Sequence, residues 1–124
     1  MKIFTLDEAN ALLPTVAAML VQIRELYGSV DSMRESAAAA AAAAHHGGGM
    51  AGGTTYVRSL YEIGRLTTEL NDLGIQLKDH AAGLIDFPTM HGGRLVLLCW
   101  KLGEPETIEF WHDVDAGFAG RRPL

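Results

Sequence analysis

The residues best suited to chemistry lie in the last third of the chain, around His112. A histidine can ligate a metal ion or move a proton, and nearby carboxylates can supply oxygen ligands, so Asp86, Glu109 and His112 are candidate ligands for a divalent metal. Glu109 and His112 are three residues apart, so on a strand they point to opposite faces and cannot chelate as a pair. A metal site would therefore need Asp79, Asp86 or Glu104 from other segments. We expect the simpler alternative, a histidine tethered to a backbone carbonyl or a carboxylate at a strand end.

Two further polar groups lie in turn-rich segments. Glu104 follows Gly103 and precedes Pro105, a position where a carboxylate caps backbone N–H groups or pairs with an arginine. Arg121, in the segment GFAGRR, could hold a phosphate or a carboxylate. Because this segment lacks the strand–loop–helix context of a phosphate loop, we expect Arg121 to pair with acidic groups upstream. Cys99 lies in the middle of a strand-like run, where we expect an inert thiol rather than a nucleophile.

A long first helix is predicted over about 6–46. Thr5 and Glu8 have the spacing of a capping box, which marks a helix start. Apolar residues then recur at alternating spacings of four and three, the pattern of a helix packed along another helix. The alanines from Ala37 to Ala44 extend the prediction because alanine has the highest helix propensity. The apolar positions, which we call the α1 seam, are Ala9, Leu13, Val16, Leu20, Ile23, Tyr27 and Val30.

A glycine-rich tip and a second helix are predicted next. GGGMAGG predicts a flexible Ala/Gly tip over 47–53, and Thr54 or Thr55 can act as the N-cap of a helix over about 54–82. Two helices with matching seams form an antiparallel hairpin that still needs another layer or another chain to cover it. The second seam consists of Ile63, Leu66, Leu70, Leu73 and Leu77.

The last third predicts a two-stranded β-hairpin over about 94–113 and a coil tail over 114–124. RLVLLCW and TIEFWH are β-prone runs on either side of the turn LGEPE. If Lys101 pairs with Thr107, two opposite faces follow from the alternation of side chains. One face would carry Val96, Leu98, Trp100, Ile108, Phe110 and His112, and the other would carry Leu97, Cys99, Glu109 and Trp111. The predicted fold is thus a single α+β domain over 1–124, mainly α, with a long helical hairpin before the β-hairpin.

Composition disfavours several classes of protein. The net charge of −5 disfavours a nucleic-acid partner. Between Asp79 and Asp115 there are seven acidic and two basic residues, so the acidic surplus lies in the C-terminal part. No stretch approaches the ~20 apolar residues that a membrane span needs, and the start of the chain does not resemble a signal peptide. With one cysteine and no disulfide framework, we expect a cytoplasmic protein.

Three segments carry a family resemblance: FTLDEANALLP near the start, GLIDFP in the middle, and LCWKLGE with FWHDVDAGFAGRRPL at the end. Together they resemble domain of unknown function 2203, a family of small uncharacterised prokaryotic proteins. The resemblance covers roughly positions 3–27 and 74–124, and the tract from Ala37 to Gly53 matches no part of the family pattern. It implies a common fold and role but supplies no activity. The recurring polar positions of the family correspond here to Asp79, Asp86, Arg94, Glu104, His112 and Arg121.

Two functions from different classes follow as hypotheses. The helical seams and the lack of a recognisable catalytic constellation favour a non-enzymatic protein-binding or assembly module. We expect it to act as a homodimer, with a protein as a second possible partner, no cofactor, and neither nucleic acid nor a membrane as partner. The alternative is a small enzyme, or a protein that binds a divalent metal or an anion. Its site would consist of Asp86, Glu104, His112 and Arg121.

Overall fold

The computed structural model describes residues 1–43 and 53–124, in which two helices are followed by a five-stranded antiparallel sheet. A short 3-10 helix (Phe118–Gly120) precedes the last strand, and the strands pair in chain order. The predicted end of the first helix, 44–46, and most of the predicted tip, 47–52, lie outside the described residues. The elements are α1 (Leu6–Ala43), α2 (Gly53–Asp72), β1 (Gln76–Asp79), β2 (Leu84–His91), β3 (Arg94–Lys101), β4 (Phe110–Asp113) and β5 (Arg122–Pro123).

Helix α1 begins as its sequence predicts. The backbone N–H of Thr5 donates to Glu8 Oε1 (N···O 2.9 Å), and the backbone N–H of Glu8 donates to Thr5 Oγ1 (3.1 Å), which completes the capping box. Six of the seven seam residues are fully buried, and the seventh, Tyr27, is half-buried and stacks on His80 with ring centroids 3.6 Å apart. The predicted α1 seam is therefore confirmed.

The two helices form the predicted hairpin, but α2 ends ten residues earlier than predicted. Gly74 adopts φ 91°, its N–H donates to the carbonyl of Asn71, and the N–H of Ile75 donates to the carbonyl of Leu70. This is the Schellman motif, which ends a helix at a glycine in the left-handed region. Leu70 and Ile75, the positions whose apolar contact accompanies the motif, are both buried in the same hydrophobic cluster. Leu73 is instead exposed, and the predicted helix over about 54–82 is wrong beyond Asp72.

The sheet is larger than the predicted two-stranded hairpin. β3 and β4 fall inside the predicted range of 94–113, but β1 and β2 also form a hairpin from the segment that includes GLIDFP. The predicted coil tail over 114–124 contains the 3-10 helix and β5, which pairs with β4. The prediction failed for β2 because the strand is buried on both faces over Ile85–Thr89, so it shows no alternation of polar and apolar residues.

The predicted pairing of β3 with β4 is displaced by one residue. Cys99 pairs with Phe110 and Leu97 pairs with His112, whereas pairing of Lys101 with Thr107 would have placed Cys99 opposite Glu109. A slip of one residue moves every side chain of a strand to the other face. Phe110 and His112 therefore lie on the same face as Leu97 and Cys99, and the predicted assignment of the β4 side chains to faces is wrong.

The loop between β3 and β4 explains this displacement. Residues 102–109 form a long connection rather than a tight turn, and the hydrogen bonds that hold it include three that involve the side chains of Trp100, Glu104 and Asn10. Trp100 Nε1–H donates to the carbonyl of Pro105 (N···O 2.8 Å), and the N–H of Lys101 donates to Glu104 Oε1 (2.9 Å). The N–H of Ile108 donates to Asn10 Oδ1 on α1 (2.7 Å). The register is therefore fixed in part by a helix that lies almost a hundred residues away in the chain.

One face of the sheet completes the core with the helices. Phe87, Val96, Leu98 and Trp111 lie on this face and belong to the same buried cluster as the α1 seam. The sheet therefore supplies the extra layer that the hairpin was expected to need. In the part of the chain that the structure describes, no helix is both long and apolar enough to cross a membrane.

Candidate functional site

The sheet face that does not join the helical core carries a buried polar cluster. Asp86 on β2 pairs directly with Cys99 on β3, and His112 on β4 lies diagonally opposite Cys99. Each of the three residues is at most 2% exposed. Carboxylate oxygen, thiol sulfur and imidazole nitrogen lie within 4.8 Å of one another. Three adjacent strands thus contribute one side chain each to what we call the Asp–Cys–His cluster, Asp86, Cys99 and His112.

Both ring nitrogens of His112 have partners. Nδ1 lies 2.7 Å from the carbonyl oxygen of Asp113, and because a carbonyl can only accept, Nδ1 carries a hydrogen. Nε2 lies 3.1 Å from each oxygen of the Asp86 carboxyl group. Because Nδ1 already carries a hydrogen, an unprotonated Nε2 would direct its lone pair at the lone pairs of the Asp86 oxygens. We therefore assign one further proton to the space between Nε2 and Asp86. The imidazole and the carboxyl group therefore hold that proton together, out of contact with solvent.

The thiol of Cys99 is unreactive in this setting. Burial raises its pKa to about 12, and the negative charge of Asp86 and its hydrogen bond to the thiol act in the same direction. The positive charge of Arg121 lowers the pKa but does not offset these causes. Because the thiolate is the nucleophile, the cysteine is held in its inert form at neutral pH, as the sequence position suggested.

An ion pair borders the cluster. Arg121 Nη2 donates to both oxygens of Glu104, at 2.9 and 2.7 Å, and the two side chains are 10% and 16% exposed. The guanidinium carbon of Arg121 lies 4.0 Å from the ring centroid of Phe110 and 4.7 Å from that of Phe118. The Nε of Arg121 is buried without a hydrogen-bond partner among the described residues. Glu104 both caps the turn and pairs with an arginine, the two structural roles that its position predicted.

Three of the sequence-predicted candidates lie apart from this cluster. Asp79 accepts the N–H groups of Ala81 and Ala82 and so caps the turn between β1 and β2. Arg94 forms an exposed ion pair with Asp113 (Nη1···Oδ1 2.8 Å). The side chain of Glu109 is exposed and does not join Asp86 and His112 as a third possible ligand. The structure thus brings together Asp86, Glu104, His112 and Arg121, and it separates Asp79, Arg94 and Glu109 from them.

Cys99 is the member of the cluster that sequence reasoning missed. The predicted register placed it on the opposite face from His112, and the displaced register reverses that placement. No local pattern in RLVLLCW distinguishes it from a buried thiol in a core. Only the pairing of β2 with β3, which puts Asp86 directly opposite Cys99, would have drawn attention to it.

Comparison with known proteins gives a family and no activity. The model of DUF2203, described as an uncharacterized conserved protein, matches residues 2–124. The chain belongs to the DUF2203 family. A search of curated proteins finds no match, and a search of solved structures finds none either.

Two exposed apolar surfaces are also present on the DUF2203 chain. The first, which we call the α2 stripe, runs along the side of α2 away from the core and comprises Val57, Leu60, Tyr61, Gly64 and Thr68. The second is a groove of about 520 Å³ beside the start of α1, which we call the N-terminal groove. Exposed apolar side chains line it, among them Ile3, Leu6, Met90 and Leu124.

Proposed function

We propose that this DUF2203 chain is a non-enzymatic assembly module that forms a homodimer through the α2 stripe. The observation that carries the proposal is the exposure of large apolar side chains at helical spacing. Val57 is 64% exposed, Tyr61 is 68% exposed and Leu60 is 39% exposed. Residues at intervals of three and four share one side of a helix, so these groups form a continuous surface. Such a surface is stabilised when a partner removes it from water.

Gly64 gives this surface a shape that suits a second helix. A glycine inside a helix costs roughly 1 kcal/mol relative to alanine. Apart from the neighbouring backbone of its own helix, a Cβ built at Gly64 would meet no atom within 4 Å, so packing inside the chain does not require the glycine. Without a side chain, the α2 backbone can be approached closely at this point. Gly64 thus lies where two crossing helices would come nearest.

The charges beside the stripe favour a second copy of this chain over an unrelated partner. Arg58, Glu62, Arg65 and Glu69 alternate in sign along one flank of α2. In an antiparallel pair of α2 helices related by a two-fold axis close to Gly64, Arg58 of one protomer would lie opposite Glu69 of its partner, and Glu62 opposite Arg65. A two-fold interface must be complementary to itself, and this order of charges meets that requirement. The pairs that Arg65 makes within its own helix are exposed and weak enough to rearrange.

The proposed interface differs from the one that the seam pattern suggested. The α1 seam is covered by α2 and by the sheet of the same chain, so the dimer is attributed to the outer side of α2 instead. The polar groups of the Asp–Cys–His cluster bond to each other and to the backbone, which supports a structural rather than a catalytic role for them. The proposal includes a cytoplasmic location, where the single cysteine stays reduced.

The test is the mass of the full chain in solution by sedimentation equilibrium and native mass spectrometry at micromolar concentration. We expect a dimer for the natural sequence, and at least about tenfold weaker association for Tyr61→Glu, because tyrosine is frequent among residues that dominate interfaces. Met90→Glu, which places the same charge in the N-terminal groove, is the matched control and should remain dimeric. A monomeric natural chain, or loss of the dimer only in Met90→Glu, would overturn the proposal.

A pair of charge reversals tests the antiparallel arrangement. Arg58→Glu should weaken the dimer, because it would face Glu69 of the partner. Adding Glu69→Arg should restore association, since the exchanged charges again oppose each other across the two-fold axis. If the double variant associates no better than Arg58→Glu alone, the two helices do not pair in this way.

A further inference from the structure

We infer that Asp86, Cys99 and His112 form a binding site for one divalent transition-metal ion, with Zn²⁺ the best match. The inference is independent of the dimer and depends on the three side chains that adjacent strands bring together. Imidazole nitrogen, thiolate sulfur and carboxylate oxygen are the three types of protein ligand that Zn²⁺ accepts. Mg²⁺ and Ca²⁺ prefer six or more oxygen ligands, and a site containing sulfur does not suit them.

The separations between the ligand atoms are close to those of a tetrahedral site. With Zn–N and Zn–O distances of about 2.0–2.2 Å, two ligands of a tetrahedral ion lie about 3.4 Å apart. His112 Nε2 lies 3.1 Å from each Asp86 oxygen, so this pair is already spaced as two ligands would be. All three ligand atoms lie within 4.8 Å of one another, and an adjustment of at most about 1.3 Å at the cysteine would bring sulfur to the expected ~3.5 Å from the other two.

The orientation of His112 is that of a metal-binding imidazole. A histidine that ligates a metal almost always donates its other ring N–H to a carboxylate, a carbonyl or water, which fixes the ring and directs the free nitrogen at the ion. Here Nδ1–H donates to the Asp113 carbonyl, and Nε2 points at Asp86. Nε2 is shared equally between the two carboxyl oxygens rather than directed along one short hydrogen bond. A cation would fit where the shared proton now lies.

The protons and charges balance for this exchange. Without metal, the cluster holds one proton on the Cys99 thiol and one between His112 and Asp86. Binding of Zn²⁺ forms bonds to sulfur, Nε2 and a carboxyl oxygen and releases both protons to solvent. The net charge of the buried cluster is then unchanged, so burial does not penalise the metal-bound form through an uncompensated charge. The ion would link β2, β3 and β4 to one another and stabilise the sheet.

The experiment titrates Co²⁺, and then Zn²⁺, into the metal-free full-length chain. Cys99 is the single cysteine of the chain, so a sulfur-to-cobalt charge-transfer absorption can come from this site alone. We expect that absorption together with the spectral bands of tetrahedral Co²⁺, at a stoichiometry of one ion per chain. Binding should release about two protons per ion in weakly buffered solution, and Zn²⁺ should displace the bound Co²⁺. Zn²⁺ should also raise the Tm, because it binds the folded chain preferentially.

Substitutions in the cluster distinguish Zn²⁺ binding at this site from Zn²⁺ binding at other histidines of the chain. Cys99→Ser, Asp86→Asn and His112→Gln should each weaken Zn²⁺ binding by more than about 100-fold, since loss of only an outer hydrogen-bond partner of a ligand costs 10–100-fold. Glu109→Gln, which removes an acidic group that the structure places outside the cluster, is the control and should bind normally. Circular dichroism monitors folding. If a variant unfolds, the Co²⁺ titration of the natural chain is the test. Absence of the sulfur-to-cobalt band, or binding without release of protons, would overturn the inference.

Discussion

Both faces of the sheet carry buried side chains, but different interactions stabilise them. On the face toward the helices, Phe87, Val96 and Leu98 pack against the α1 seam, and the contacts are apolar. On the other face, Asp86, Cys99 and His112 are buried to the same degree, and hydrogen bonds determine their arrangement. Apolar packing is non-directional and tolerates repacking, whereas a buried polar group is stable only when its partners are all in place.

This difference predicts how each face responds to substitution. On the helical face, the cost of a change should follow the apolar volume removed, and changes at separated sites should add. On the polar face, the cost should depend on whether the partner of the altered group is still present. Substitutions of Phe87 on the helical face and of Asp86 on the polar face test this contrast.

Phe87→Ala should destabilise the chain most, by about 3–5 kcal/mol. The ring is fully buried and meets the ring of Phe4 edge-to-face, with centroids 5.2 Å apart, so its removal leaves a cavity between sheet and helices. Urea denaturation followed by circular dichroism measures the free energy of unfolding. Met90→Ala, three residues along the same strand and largely exposed, is the control and should change it by less than about 0.5 kcal/mol. Equal effects would contradict the assignment of this face as the core.

Asp86→Val should cost about 3 kcal/mol in the metal-free chain, because His112 then remains buried beside an apolar group. Combining it with His112→Leu should restore part of the loss, so that the double variant is about 1–3 kcal/mol more stable than the sum of the two single changes. Denaturation of all four chains in the presence of a chelator gives this coupling energy. If the changes in unfolding free energy of the two single variants simply add in the double variant, the polar face responds to substitution as the apolar face does, and the proposed difference between them is wrong.

Features that depend on residues close together in the chain are the ones that the sequence predicts best. The α1 seam and the start of α1 are encoded by residues three and four apart, and the prediction of both is correct because this spacing is local in the sequence. The end of α2 was missed although its signal is also local. Leu73 and Leu77 continued the apolar spacing past Gly74, and the spacing was given more weight than the glycine.

The polar cluster could not have been predicted in the same way. Its composition depends on the register of β3 against β4, and the loop of residues 102–109 sets that register through Asn10, Trp100 and Glu104. A register error of one residue was enough to separate Cys99 from His112. The family resemblance indicated Asp86, Glu104, His112 and Arg121, which do lie together, but it also indicated Asp79 and Arg94, which do not. Only the pairing of distant segments distinguishes these two groups.

The smallest predicted effect concerns a polar pair that is local and exposed, the capping box of α1. Thr5→Ala should cost about 1 kcal/mol at neutral pH, because the N–H of Glu8 loses its acceptor. The hydrogen bonds from the backbone and side chain of Thr5 lower the pKa of Glu8, with a smaller contribution from the charge of Lys2. A group whose pKa is lower in the folded than in the unfolded chain stabilises the fold above its ordinary pKa of 4.5 and loses that contribution as pH falls through the folded value.

The difference in stability between the natural chain and Glu8→Ala should therefore be constant near pH 7 and shrink as the pH falls below 4.5, as measured by urea denaturation at several pH values. Glu25→Ala, also an exposed helical glutamate, serves as the comparison, since it lies in the middle of α1 and does not cap a helix start. A difference that grows on acidification would have the wrong sign for a carboxylate that accepts the N–H of Thr5. Loss of Asp86 leaves His112 buried without its hydrogen-bond partner. Loss of Thr5 or Glu8 leaves groups that water can reach, and this access to water is why a polar pair contributes less at the surface than inside the sheet.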